Sequence, residues 1–79
     1  MTNLEKYTKV FTETFEISEE QAETLKYQDI PAWDSIGHMD LVASLEEVFD
    51  IMMDSNDIID FSSFEKGKEI LAANYEIAF

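Results

Sequence analysis

Ser35 is the side chain whose type and setting most suggest covalent chemistry. It follows Trp33-Asp34 and leads into Ile36-Gly37-His38-Met39-Asp40-Leu41-Val42, where a loop gives way to an apolar-periodic segment. A hydroxyl at such a junction stands outside the packed interior, within reach of an enzyme that modifies it. The plain alternative is a helix cap, since Asp or Ser just before a helix accepts a bond from an otherwise unpaired first-turn amide. A serine hydroxyl is a weak nucleophile, and no base and orienting acid are spaced to form a triad with it. A self-contained hydrolase is therefore a poor reading, and activation must come from another protein.

Other candidates carry less. His38 is the single histidine; without a ligand partner it reads as a surface or helix-end residue and is assigned no chemistry. Trp33 reads as a packing residue that fixes the approach to Ser35. An EF-hand loop begun at Asp50 would need glycine sixth and glutamate twelfth, where the chain has Ser55 and Phe61, so that pattern fails and no metal site is expected.

The elements that must position Ser35 can be read from periodicity. Leu4, Tyr7, Val10, Phe11 and Phe15 recur at helical steps and predict a first helix over about 3–16. Ser18-Glu19-Glu20-Gln21 has the form of a capping box that could open a helical turn, but no long apolar stripe follows. Residues 24–34 lose the period, and Pro31 disfavours helix at Ile30; this predicts a long ordered loop delivering the chain to Asp34-Ser35. Leu41, Val42, Leu45, Val48 and Phe49 then form a wide stripe, predicting a second main helix over about 35–50.

Asp54-Ser55-Asn56-Asp57 predicts one or two short turns ending near Asp60, and Ser62-Ser63-Phe64-Glu65 a capping box opening a last helix with Phe64, Ile70, Leu71 and Tyr75 inward. Gly67 costs that helix roughly 1 kcal/mol unless close packing needs the missing side chain. No strand-like alternation or repeat is visible. The expectation is an all-α fold: one domain over 1–79, a small bundle of three main helices plus one short helix, with a long loop between the first two main helices.

Apolar residues make up 46% of the 79, enough to fill one core, and cysteine is absent, so packing alone must hold it. No basic-then-apolar leader and no stretch near the roughly 20 residues of a membrane span is visible. A cytoplasmic, membrane-free protein is the expectation. Five basic against eighteen acidic residues give a net charge of −13. That field repels nucleic acid and anionic lipid and steers basic protein surfaces toward the domain.

Taken with these elements, Asp34-Ser35-Ile36 and Leu41-Val42-Ala43-Ser44-Leu45-Glu46-Glu47-Val48-Phe49-Asp50-Ile51 make the chain resemble the acyl carrier protein family, over nearly its whole length. The family includes peptidyl and aminoacyl carriers. The resemblance implies an acyl-carrier-like bundle in which the Ser35 hydroxyl receives 4′-phosphopantetheine from coenzyme A, with Asp34 helping to position the reaction. A phosphopantetheinyl transferase, using a divalent metal, would attach this covalent cofactor, whose thiol would hold acyl or aminoacyl groups as thioesters.

It further implies a recognition surface of Ile36, Met39, Asp40, Ser44, Glu46 and Glu47 on the second main helix, read by basic patches of ligases, synthases and transferases. The protein would then be a monomeric carrier, not an enzyme, in fatty acid, polyketide or another specialised biosynthesis. An aminoacyl, D-alanyl or peptidyl carrier is the near alternative. An unmodified acidic helical adaptor or inhibitor of a basic partner is the alternative of another class.

The chain departs from carriers of fatty acid synthesis at Gly37, where they usually have an acid, at His38, where they have a small residue, and at Asp54, where many have proline. Trp33 with Gly37-His38 looks more like stand-alone carriers of specialised pathways, including the D-alanyl type.

Overall fold

A computed structural model describes Met1–Phe79 and contains five helices and no strand: α1 (Asn3–Phe15), α2 (Glu19–Glu23), α3 (Ser35–Phe49), α4 (Ser55–Asp60) and α5 (Phe64–Asn74). The all-α expectation holds. Two short helices occur rather than one, because the Ser18 capping box closes: Ser18 accepts from Gln21 N–H while the Gln21 side chain accepts from Ser18 N–H. The resulting α2 lies inside the expected long loop and ends after five residues. Ala22 and Leu25 alone anchor that stretch in the core.

α1 begins with an unanticipated capping box between Thr2 and Glu5 and stops where Glu16 adopts a left-handed conformation (φ 55°). Its inner face is aromatic. Tyr7, Phe11 and Phe15 are buried and meet Trp33, Phe61 and Phe64 at ring separations of 4.8–6.5 Å. The Tyr7 hydroxyl donates to Phe64 O at 2.7 Å, so its one polar atom is satisfied inside this cluster. From α3, Leu41, Val42 and Leu45 complete the packing.

Three expected core positions lie further out. Leu4 and Val48 are exposed and Phe49 is only half-buried. A stripe as wide as the one proposed exceeds what a 15-residue helix can bury against the single neighbouring face of α1. The last helix also starts later than its apparent capping box. Ser63, not Ser62, accepts from Lys66 N–H, and a lysine at that position cannot reciprocate.

The reason for this shift lies outside the helix. Phe64 N–H donates to Leu25 O and Tyr27 N–H to Ser62 O, both at 2.9 Å, in an isolated antiparallel bridge between Lys26 and Ser63. This bridge pins the loop 24–34 to the start of α5. Within the loop, Asp29 Oδ2 accepts from Lys26 N–H and Gln28 N–H donates to Trp33 O. The chain therefore reaches Ser35 along a fixed path, with Trp33 wholly buried as its anchor, as expected.

Gly67 does answer a packing need. A Cβ there would overlap the Phe61 ring and the Tyr7 hydroxyl, so α5 approaches the aromatic cluster through its missing side chain.

Candidate functional site

The ambiguity at the start of α3 resolves by atom. Asp34 is the N-cap: its Oδ1 accepts from Gly37 N–H at 2.8 Å, and its carbonyl accepts from His38 N–H at 2.8 Å. Ser35 is the first helical residue, exposed, with capping already done by its neighbour. The Asp34 carboxylate thus has a structural task, through one oxygen, in addition to any part in positioning chemistry at Ser35.

Gly37 belongs to this construction. A Cβ at Gly37 would collide with the backbone carbonyl of Ala32, so the loop folds tightly against the first turn of α3 only because the side chain is missing. Backbone cannot swing aside as a flexible side chain can. The absence of an acid at position 37 is therefore a steric requirement of this loop. It also leaves the first turn of α3 with no acidic side chain, so nothing within the helix offsets the positive end of its dipole beside Ser35.

His38 is not the free surface residue the sequence suggested. Trp33 Nε1–H donates to its Nδ1 at 2.9 Å, and its Nε2 lies 2.8 Å from Ile58 O. A carbonyl can only accept and an indole N–H can only donate, which fixes the neutral Nε2–H tautomer. With both nitrogens engaged, the imidazole cannot take a proton from Ser35. The indole and imidazole planes differ by 15° with centroids 6.1 Å apart, so the rings are joined edge to edge rather than face to face.

The Ile58 bond has a second consequence. α4 has six residues, no buried side chain and no side-chain cap from Asp54. A helix this short depends on outside support. His38 satisfies a carbonyl in its last turn. At the other end Asp54 N–H donates to the Tyr75 hydroxyl at 2.7 Å, Tyr75 donates to Asp57 Oδ2 at 2.8 Å, and Asn74 Nδ2 donates to Asp57 Oδ1 at 3.0 Å. Partial burial, together with the Asp57 and Asp54 carboxylates, pushes the Tyr75 hydroxyl above its usual range. Polar braces at both ends hold α4 beside α3.

Between them opens a depression of about 340 Å³ with Ser35 on its rim and walls of Tyr27, His38, Met39, Ile58, Ile59 and Phe61. Ile36, Met39 and Ile59 are 75%, 53% and 77% exposed, forming an apolar rim that no other part of the chain covers. Asp34, Asp40 and Asp60 are exposed on the elements that carry this rim.

The expected recognition stripe on α3 divides. Ile36, Met39, Asp40 and Glu47 are open to solvent. Ser44 is half-buried and, with Glu47, lines a groove against Val10, Glu13 and Thr14 of α1. Glu46 is half-buried and employed: its Oε2 accepts from Met53 N–H at 2.8 Å, tying the end of α3 to the connection before α4. That bond accounts for a carboxylate placed against the helix dipole. Ile59, absent from the sequence-based surface, belongs to it, and its exposed isoleucine in a short helix was the available signal.

No helix is long and apolar enough to cross a membrane. Comparison of the chain with protein-family models, with characterised proteins and with solved structures returns no match.

Proposed function

We propose that this domain is a carrier in which Ser35 bears 4′-phosphopantetheine, within a bundle of the acyl-carrier type whose three main helices are α1, α3 and α5. One observation carries the reading: Asp34 does the capping, which leaves the Ser35 hydroxyl exposed at the head of a 15-residue helix with no structural duty. A phosphodiester formed there would lie against the positive end of the α3 dipole, where no first-turn acid opposes it. The residues present therefore fit the group.

In the loading step the Ser35 oxygen forms a bond to the phosphorus nearest pantetheine. The pyrophosphate P–O bond of coenzyme A breaks, 3′,5′-ADP departs and the serine proton passes to the transferase. Once attached, the arm supplies a thiol that holds acyl or aminoacyl groups as thioesters. The chain's own residues orient and present: Trp33 and Gly37 fix the approach of the loop, Asp34 fixes the helix start, and Ile36, Met39 and Asp40 offer an apolar and acidic face. The phosphopantetheinyl transferase and the ligases, synthases or transferases that handle the cargo would meet this face with basic patches. In this reading the protein is a cytoplasmic, monomeric substrate of other enzymes rather than a catalyst, and it serves a specialised acyl or aminoacyl pathway.

Incubation with coenzyme A and a promiscuous phosphopantetheinyl transferase, followed by intact mass measurement, tests it. The expected result is a gain of one phosphopantetheine in the wild type and none in Ser35→Ala. No gain in folded wild-type protein, or an equal gain in Ser35→Ala, would leave the acidic adaptor as the better account.

A further inference from the structure

We infer that His38 is a specificity-determining residue of this site, limiting how much of a Ser35-borne acyl group the domain shelters. This rests on the carrier reading of Ser35. The depression whose rim Ser35 occupies is walled mostly by carbon, from Tyr27, Met39, Ile58, Ile59 and Phe61, so an uncharged acyl group is the cargo that it favours. The net charge of −13 further disfavours an anionic one. Its volume of about 340 Å³ is at the small end of the roughly 300–1,000 Å³ found for small-molecule sites.

What stops it from being deeper is the imidazole. His38 lies between the depression and the buried Trp33, bonded to the indole on one side and to α4 through Ile58 O on the other. Its ring also meets Tyr27 and Phe61 edge-on, at centroid distances of 5.5 and 5.9 Å. A chain pushing further inward would have to part both hydrogen bonds at once. That would strand the Trp33 N–H in the core, a loss that the burial of a few additional methylenes does not recover. The domain therefore shelters compact acyl groups and leaves longer ones at the surface, where partner enzymes reach them.

The test loads Ser35 with a straight-chain series from acetyl through butyryl and hexanoyl to decanoyl, using the coenzyme A thioesters and the same transferase. Wild type, His38→Ala and His38→Gln are compared by the rate of thioester hydrolysis. In the wild type, protection should grow from acetyl to butyryl and then level off. In His38→Ala it should continue to grow, with decanoyl hydrolysed several-fold more slowly than on the wild type, while His38→Gln, which retains bulk, follows the wild type.

Protection that rises through decanoyl on the wild type, or coincident profiles for folded wild type and His38→Ala, would overturn the inference. Should His38→Ala fail to fold, nuclear Overhauser contacts in the loaded wild type decide. Contacts from the decanoyl methyl to the Trp33 ring would overturn the assignment, and contacts from butyryl to Met39 and Ile59 alone would support it. Absence of any loading defeats the carrier reading itself and is distinguished by mass before hydrolysis is measured.

Discussion

The indole N–H of Trp33 donates to Nδ1 of His38 at 2.9 Å, joining the buried anchor of the loop to the first turns of α3, five residues along the chain. Through Nε2 the same imidazole reaches Ile58 O, twenty residues away. One side chain therefore ties together the three pieces of chain that surround Ser35. Ring nitrogen shifts of the single histidine should report the neutral Nε2–H tautomer. A predominant Nδ1–H form at neutral pH would contradict this arrangement.

Gly37→Ala should destabilise the domain by about 1–3 kcal/mol, the usual cost of forcing atoms into a filled space, because the opposing atom is the Ala32 carbonyl and the loop must shift as a unit. Gly37→Asp should do the same despite adding an acid of the kind common in fatty acid carriers. Ala43→Glu, at an exposed position on the same helix, should stay within about 0.5 kcal/mol of the wild type. Urea unfolding of the three variants gives the comparison, and equal midpoints for Gly37→Ala and wild type would contradict the close approach.

Gly67→Ala reverses the ordinary propensity rule. Alanine is favoured over glycine in a helix interior by roughly 1 kcal/mol. Here the added methyl meets Phe61 and the Tyr7 hydroxyl inside the aromatic cluster. The expected outcome is a lowered thermal midpoint, and a raised one would mean the rings move aside without cost.

Tyr75→Phe removes one of the two supports of α4. The hydroxyl accepts from Asp54 N–H and donates to Asp57, so its loss should cost about 1 kcal/mol in global stability. The larger effect should be local. Amide hydrogen exchange in Ser55–Asp60 should accelerate relative to α1 and α3, since α4 buries no side chain of its own. Uniform acceleration across all helices would argue against α4 as a separately braced element.

The boundaries of α1 and α3 were legible because each depends on a local period and a local cap. Tyr7, Phe11, Phe15, Leu41, Val42 and Leu45 are core residues for the same reason. The roles of Gly37, His38 and Glu46 were not legible. Each is defined by a partner that the fold brings in: the Ala32 carbonyl, the Trp33 indole with the Ile58 carbonyl, and the Met53 amide. Periodicity says which face of a helix is apolar, but not how far the neighbouring element extends, which is why Leu4 and Val48 were placed too deep. The start of α5 moved by one residue because the bridge from Lys26 to Ser63, invisible to local pattern, selects which serine caps.

The fold should also have an alkaline limit set by Tyr7. Burial, with a smaller contribution from Glu65, pushes the Tyr7 hydroxyl far above its ordinary 10.0. The folded state therefore keeps this proton while the unfolded chain gives it up at about pH 10. The stability it contributes is complete below that pH and is lost progressively above it, at about 1.4 kcal/mol per pH unit for one proton. Tyr75 shifts in the same direction, so the wild-type slope alone does not isolate Tyr7. Tyr7→Phe does. It should lose about 1 kcal/mol at neutral pH, for the bond to Phe64 O, and lose less than the wild type on going from pH 10 to 11. Urea unfolding at pH 8, 10 and 11 gives both numbers. Parallel alkaline slopes for wild type and Tyr7→Phe would show that the buried hydroxyl does not set this limit.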